Sequence, residues 1–182
     1  MKKSILITAL LSTLSMGVVA ETPSFNYFEI GQTEVDFDGV PFDLDGLEFD
    51  FNMALSDSYY LSADYAKVDR SGVDLKMKNI GIGFNSDISD STAFFTQIDW
   101  ANISSNAGVD EDGYRLGLGV RSNWTKDFEV SAAYEYLDID NDSSSFYVLG
   151  AAYKLTDSFA AYADYKTESD LDQISFGVRF EF

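Results

Sequence analysis

Charged side chains recur at alternate positions along several short segments, acids and bases on the same side. They are Glu48, Asp50, Asp64, Asp99, Glu129, Glu135, Asp164 and Glu181, beside Arg115, Arg121, Lys154, Lys166 and Arg179. In a confined, poorly hydrated space such charges are costly unless paired, so mixed signs predict a hydrogen-bonded ionic network. The network either fills an interior or sets the ion selectivity of a constriction. Catalysis is a poor reading, because the chain has no histidine and no cysteine to act as base or activated nucleophile. With 31 acidic residues, carboxylate pairs are expected by chance. No catalytic, cofactor-binding or metal site is predicted. DIDND, Asp138 to Asp142, spaces its aspartates as a calcium loop begins, but Ser143 and Leu149 stand where glycine and glutamate are needed. It reads as a solvated acidic loop.

Composition narrows the partners. A formal charge of −19 argues against nucleic acid, which requires a basic face. Acidic connecting segments such as DFDGVPFDLDG and NAGVDEDG favour cationic partners and attract divalent ions weakly. The first twenty residues, MKKSILITALLSTLSMGVVA, place Lys2 and Lys3 before an apolar run and small residues, the pattern of a cleaved secretory signal peptide. Residues 21–182 then form one domain, and its removal of two bases leaves the mature chain more acidic still. The Asn-x-Ser/Thr triplets at Asn102, Asn123 and Asn141 are read as chance.

The elements that position these charges are strands. Leu47, Phe49, Phe51, Met53 and Leu55 alternate with Glu48, Asp50, Asn52 and Ala54; Tyr114, Leu116, Leu118 and Val120 alternate with Arg115, Gly117, Gly119 and Arg121. Four segments, LSDSYYLSADY, ISDSTAFFTQIDW, WTKDFEVSAAYEY and LTDSFAAYADY, repeat a hydroxyl residue and a polar turn before an aromatic that starts an alternating run. Their hydroxyls, Ser56, Ser89, Thr125 and Thr156, recur at the interval of a two-stranded unit, so the repeat is a hairpin.

Strands are predicted at 25–35, 46–55, 59–68, 75–85, 92–102, 113–124, 128–138, 145–155, 159–167 and 172–182, with Pro23 and Pro41 outside them. The turns after the second, fourth, sixth and eighth are short, and the connections between them are expected to be mostly longer. This is the plan of an all-β, up-and-down antiparallel transmembrane β-barrel of ten strands, or eight if the weakly alternating first hairpin does not span.

The apolar face is assigned to lipid. The opposite face is rich in Gly, Ala and Ser, as a cramped interior requires. Aromatics recur six residues apart on the apolar face, at Tyr59 and Tyr65, Phe94 and Trp100, Phe128 and Tyr134, Phe159 and Tyr165, about 20 Å along a strand. Lys76 and Lys78 share parity with lipid-facing Ile80 and Ile82, and at a strand's outer end they read either as anchors to lipopolysaccharide phosphates or as ordinary edge lysines. A secreted, soluble lipocalin-like barrel is the alternative with the faces reversed.

The last segment, ISFGVRFEF, carries Phe176, Phe180 and Phe182 on the apolar face. With the signal peptide and the alternating strands, this ending resembles small bacterial outer-membrane β-barrels of the opacity-type and OmpA-like transmembrane class. The resemblance implies a Gram-negative outer-membrane location, recognition of the terminal aromatics by the assembly machinery, contact with membrane lipid and lipopolysaccharide, and a monomer. A non-enzymatic structural or surface-binding role through acidic extracellular loops is the first expectation. A narrow, weakly cation-preferring diffusion pore is the second.

Overall fold

The computed structural model describes residues 21–182 apart from 40, 41, 71 and 141. The expected signal peptide, Pro41 and Asn141 lie outside the described residues. Ten strands run in chain order: β1 Tyr27–Phe37, β2 Leu44–Ala54, β3 Tyr59–Arg70, β4 Val73–Ser89, β5 Thr92–Ser105, β6 Asp110–Asn123, β7 Phe128–Ile139, β8 Asp142–Lys154, β9 Phe159–Thr167 and β10 Leu171–Glu181. Each pairs antiparallel with its sequence neighbours, and β1 pairs with β10, so the sheet closes. Closure satisfies every strand edge, which lipid demands of an extended chain. The first hairpin spans like the others, giving ten strands rather than eight.

The two ends use different turn chemistry. At the end that carries both termini, the repeated hydroxyls cap the turns. Ser56 Oγ accepts the amide of Tyr59 at 3.2 Å, Thr125 Oγ1 that of Phe128 at 3.0 Å, and Thr156 Oγ1 that of Phe159 at 3.0 Å. At the other end Gly72 and Gly108 take left-handed conformations, φ 86° and 91°, closed to most side chains.

Apart from the β1–β2 connection, residues 38–43, the connections at that far end are not the longer loops expected. The ladders run on to Arg70↔Val73, Ser104↔Asp110 and Ile139↔Asp142. Beyond the lipid both faces meet water, so alternation fades from the sequence while backbone pairing continues. Of the DIDND segment, Asp138 and Ile139 therefore end β7 and Asp142 begins β8, and Asp138 accepts hydrogen bonds from the hydroxyls of Tyr136 at 3.0 Å and Tyr114 at 3.4 Å.

Lipid-facing side chains stand exposed on the outer wall, among them Leu118, Val120, Leu149, Ile98 and Ile174. An outer aromatic line of Tyr65, Trp100, Tyr114, Tyr136, Tyr147 and Tyr165 and a line of Tyr59, Phe94, Phe128, Tyr153, Phe159 and Phe180 near the termini bound this band. The lumen is filled in three tiers. At the far end Val35, Leu44 and Val68 are buried against Phe37, Phe42, Leu75 and Leu171. At the terminal end Phe25, Tyr60 and Ala93 are buried against Phe95. Charged groups lie between these apolar caps.

Candidate functional site: the charged lumen

Inward glycines make room for inward aromatics. A Cβ on Gly83 would run into the Tyr60 ring, and one on Gly31 into the Tyr162 hydroxyl. These large side chains narrow the lumen; the Tyr162 hydroxyl donates to Glu48, and that of Tyr60 to Gln97, which in turn donates to Asp99.

Arg115 is the central hub. Its guanidinium reaches Asp64 at 2.5 Å, Asp99 at 2.9 Å and Glu135 at 3.8 Å, joining β6 to β3, β5 and β7. Asp99 also accepts from Ser62 Oγ at 2.6 Å and Gln97 Nε2 at 3.1 Å, and Glu135 pairs with Lys166 at 2.6 Å. The Lys166 ammonium lies 4.4 Å from the centre of the Phe146 ring.

A second hub sits nearer the termini. Arg121 makes a two-pronged contact with Glu129, at 2.9 Å and 3.0 Å. Arg179 bridges Glu129 at 3.0 Å and Glu29 at 2.7 Å. The Tyr27 ring lies 4.9 Å from the Arg121 guanidinium and 4.5 Å from that of Arg179.

The remaining lumen charges make no ion pair with either arginine hub, although Asp50 is the register partner of both Asp64 and Glu29. Glu48 is held by the hydroxyls of Tyr162 at 2.9 Å and Ser175 at 2.7 Å. Lys154 and Glu181 pair with each other at 2.8 Å. The side chains of Asp50 and Asp164 face the lumen and have no ion-pair or hydrogen-bond partner among the described residues.

Three contributions escape sequence reading. Glu29 lies on β1, where acids at Glu29 and Glu34 occupy opposite faces and blur the alternation. The neutral partners Tyr60, Tyr162, Ser62, Gln97 and Ser175 become visible only with the strand register. Residues 21–24 fall outside the predicted strands and 25–26 precede the observed β1, yet this segment enters the terminal mouth. Ser24 O accepts from Arg121 Nη1 at 2.8 Å, Glu21 O from Asn123 Nδ2 at 2.6 Å, and Phe25 packs 4.8 Å from Tyr60 between ring centres. Inward-facing Phe95 and Asn123 were the available hints.

Cavities form a row along the axis. A far-end cavity of about 380 Å³ shares Met77, Lys166 and Gln173 with a chamber of about 150 Å³. That chamber shares Glu29, Asp50, Asp64, Arg115, Glu135 and Asp164 with a second, of about 160 Å³, which ends at Phe25. Each has room for several waters. Among the described residues no group of metal-ligating side chains converges.

Phe176, Phe180 and Phe182 face outward. Phe180 packs against Phe159 at 5.1 Å, and Phe182 stacks on Phe51 at 6.1 Å between ring centres.

Residues 19–173 match the family model described as Gram-negative porin, and the chain belongs to that family. It is an outer-membrane barrel of a non-enzymatic class. Among solved structures it is similar to the KdgM porin, at 11% identity and a TM-score of 0.52, covering 86% of this chain and 98% of that one; at this identity the likeness concerns the fold. The NanC porin follows with 10% identity, a TM-score of 0.48, and coverage of 86% and 100%. Ail, the attachment invasion locus protein of Yersinia pestis, gives 16% identity, a TM-score of 0.41, and coverage of 86% and 95%. No curated protein matches the chain.

Proposed function

We propose that this protein is a narrow diffusion channel that passes small cations across the outer membrane. The observation that carries the reading is the row of chambers in which acids outnumber bases: Glu29, Glu48, Asp50, Asp64, Glu135 and Asp164 against Arg115 and Lys166 in the central one. Fixed acids in a lumen this narrow attract cations and repel anions. Arginine hubs keep the path small: a ten-stranded barrel lies close to the size that side chains fill, far from the roughly 16 strands of an open aqueous channel. Membership in the porin family moves this reading ahead of the structural or surface-binding role expected first.

One observation favours the second reading. Phe25 closes the terminal mouth, and a barrel shut there would serve the surface through its acidic hairpin ends instead. Planar-bilayer recording of the purified protein separates the two. The expected result is a small cation-preferring conductance that rises in Phe25→Ala and in Arg115→Ala/Arg121→Ala, and loses cation preference in Asp50→Asn/Asp164→Asn. Silence in both the native protein and Phe25→Ala would favour the surface role. A large, steady conductance from the native protein would overturn the narrow channel.

A further inference from the structure

A second charged site lies on the outer wall. Lys67 on β3 and Lys76 on β4 are register partners, and Lys78 is the partner of Tyr65, one outward position nearer the lipid band. All three share the outward parity of Ile80 and Ile82, which are half-exposed on the lipid face. They begin where the outer aromatic line of Tyr65, Trp100 and Tyr114 ends, the level of lipid headgroups. None of the three forms an ion pair or hydrogen bond among the described residues.

This isolation is unexpected in a chain with 31 acids and 12 bases. Acids are close at hand, with Asp69 and Asp74 paired in register two residues further out and Asp112 opposite Asn102. They are otherwise engaged: Asp74 accepts the Asn106 amide at 2.9 Å, and Asn102 Nδ2 donates to Asp110 and Asp112, each at 3.0 Å. Like charges directly opposite on neighbouring strands are destabilising. A bound polyanion removes that repulsion.

We propose that Lys67, Lys76 and Lys78 bind the phosphate groups of a phosphorylated glycolipid of the outer leaflet, with its acyl chains along Leu47, Phe49, Ile80 and Ile82. Position selects this source over a soluble polyanion. The lysines adjoin the apolar band, while Asp69 and Asp74 on the water side repel a highly charged ligand approaching from solution. Flexible lysine stems cover apolar wall while their ammonium groups reach the headgroup level.

The test uses the folded full-length barrel in a zwitterionic detergent, titrated with bisphosphorylated lipid A, the same lipid dephosphorylated, and inorganic phosphate. Folding of each variant is verified by heat-modifiable gel mobility. Lys67→Gln/Lys76→Gln/Lys78→Gln should weaken binding of the phosphorylated lipid on the order of a hundredfold, from roughly fivefold per lysine near a charged surface. The arginine triple variant should retain binding, and Lys126→Gln at the opposite end should leave it unchanged. Equal binding of the dephosphorylated lipid, retained affinity in the glutamine variant, or inorganic phosphate competing at equal concentration would each overturn the proposal.

Discussion

Replacing Arg115 by alanine tests whether the lumen network holds the barrel together. The substitution removes one guanidinium from three acids, and each acid is left in a different position. Glu135 keeps Lys166 at 2.6 Å. Asp64, with a side chain 22% exposed, can draw in water and retains Asn79 Nδ2 at 2.5 Å. Asp99 has no exposure and keeps only Ser62 and Gln97. Breaking a buried pair from one side costs about 3 to 5 kcal/mol, chiefly the stranded charge. With a single acid fully stranded and still holding two neutral donors, the expected loss is about 3 kcal/mol. Urea unfolding in lipid vesicles, followed by the fluorescence of Trp100 and Trp124, measures it. In an Asp99→Asn background the same substitution should cost less than half as much, because no charge is then stranded. A loss below about 0.5 kcal/mol, or an equal loss in both backgrounds, would refute the reasoning and show a lumen hydrated enough to screen its own charges.

Two further outcomes follow from the outer wall. Deleting Phe182, or changing it to Asp, should lower the yield of heat-modifiable folded barrel in the outer membrane; an unchanged yield would reduce the ending to packing on Phe51. Leu118→Arg should cost about 2 to 4 kcal/mol in vesicle unfolding as a mid-strand charge in lipid, with Leu118→Ile close to neutral, and a tolerated arginine would invert the faces. Gly119→Ser, which alternation alone rates as the mild control, is unsuitable, because its Cβ would lie 2.6 Å from Ala132 O and 2.8 Å from the Phe95 ring.

Strands and faces were legible because lipid on one side and a crowded lumen on the other force strict alternation, as along Tyr114 to Arg121. The signal faded where that contrast ended, at the far-end hairpins and on β1. Which charges lie inside could be read by parity, but not which acid meets which base. Arg121 meets Glu129 from the neighbouring strand, but Arg179 reaches it only because β10 lies across the lumen from β7, a matter of barrel closure rather than spacing. Plugging by residues 21–26 depends on one aromatic and two backbone carbonyl contacts, which no periodicity announces.

Glu29 and Arg179 are register partners across the β1–β10 junction, as are Thr33 and Ser175, whose hydroxyls lie 3.0 Å apart. This junction joins the first and last strands, so in any order of synthesis its two edges are the most widely separated in sequence. A two-residue slip would keep lipid-facing residues outward and preserve nearly all backbone pairing, so hydrophobicity discriminates poorly against it. It would also set Arg179 opposite Tyr27 or Gly31 and strand Glu29. The ion pair therefore acts as a proofreading mark for closure, penalising a misaligned seam that the membrane itself would accept.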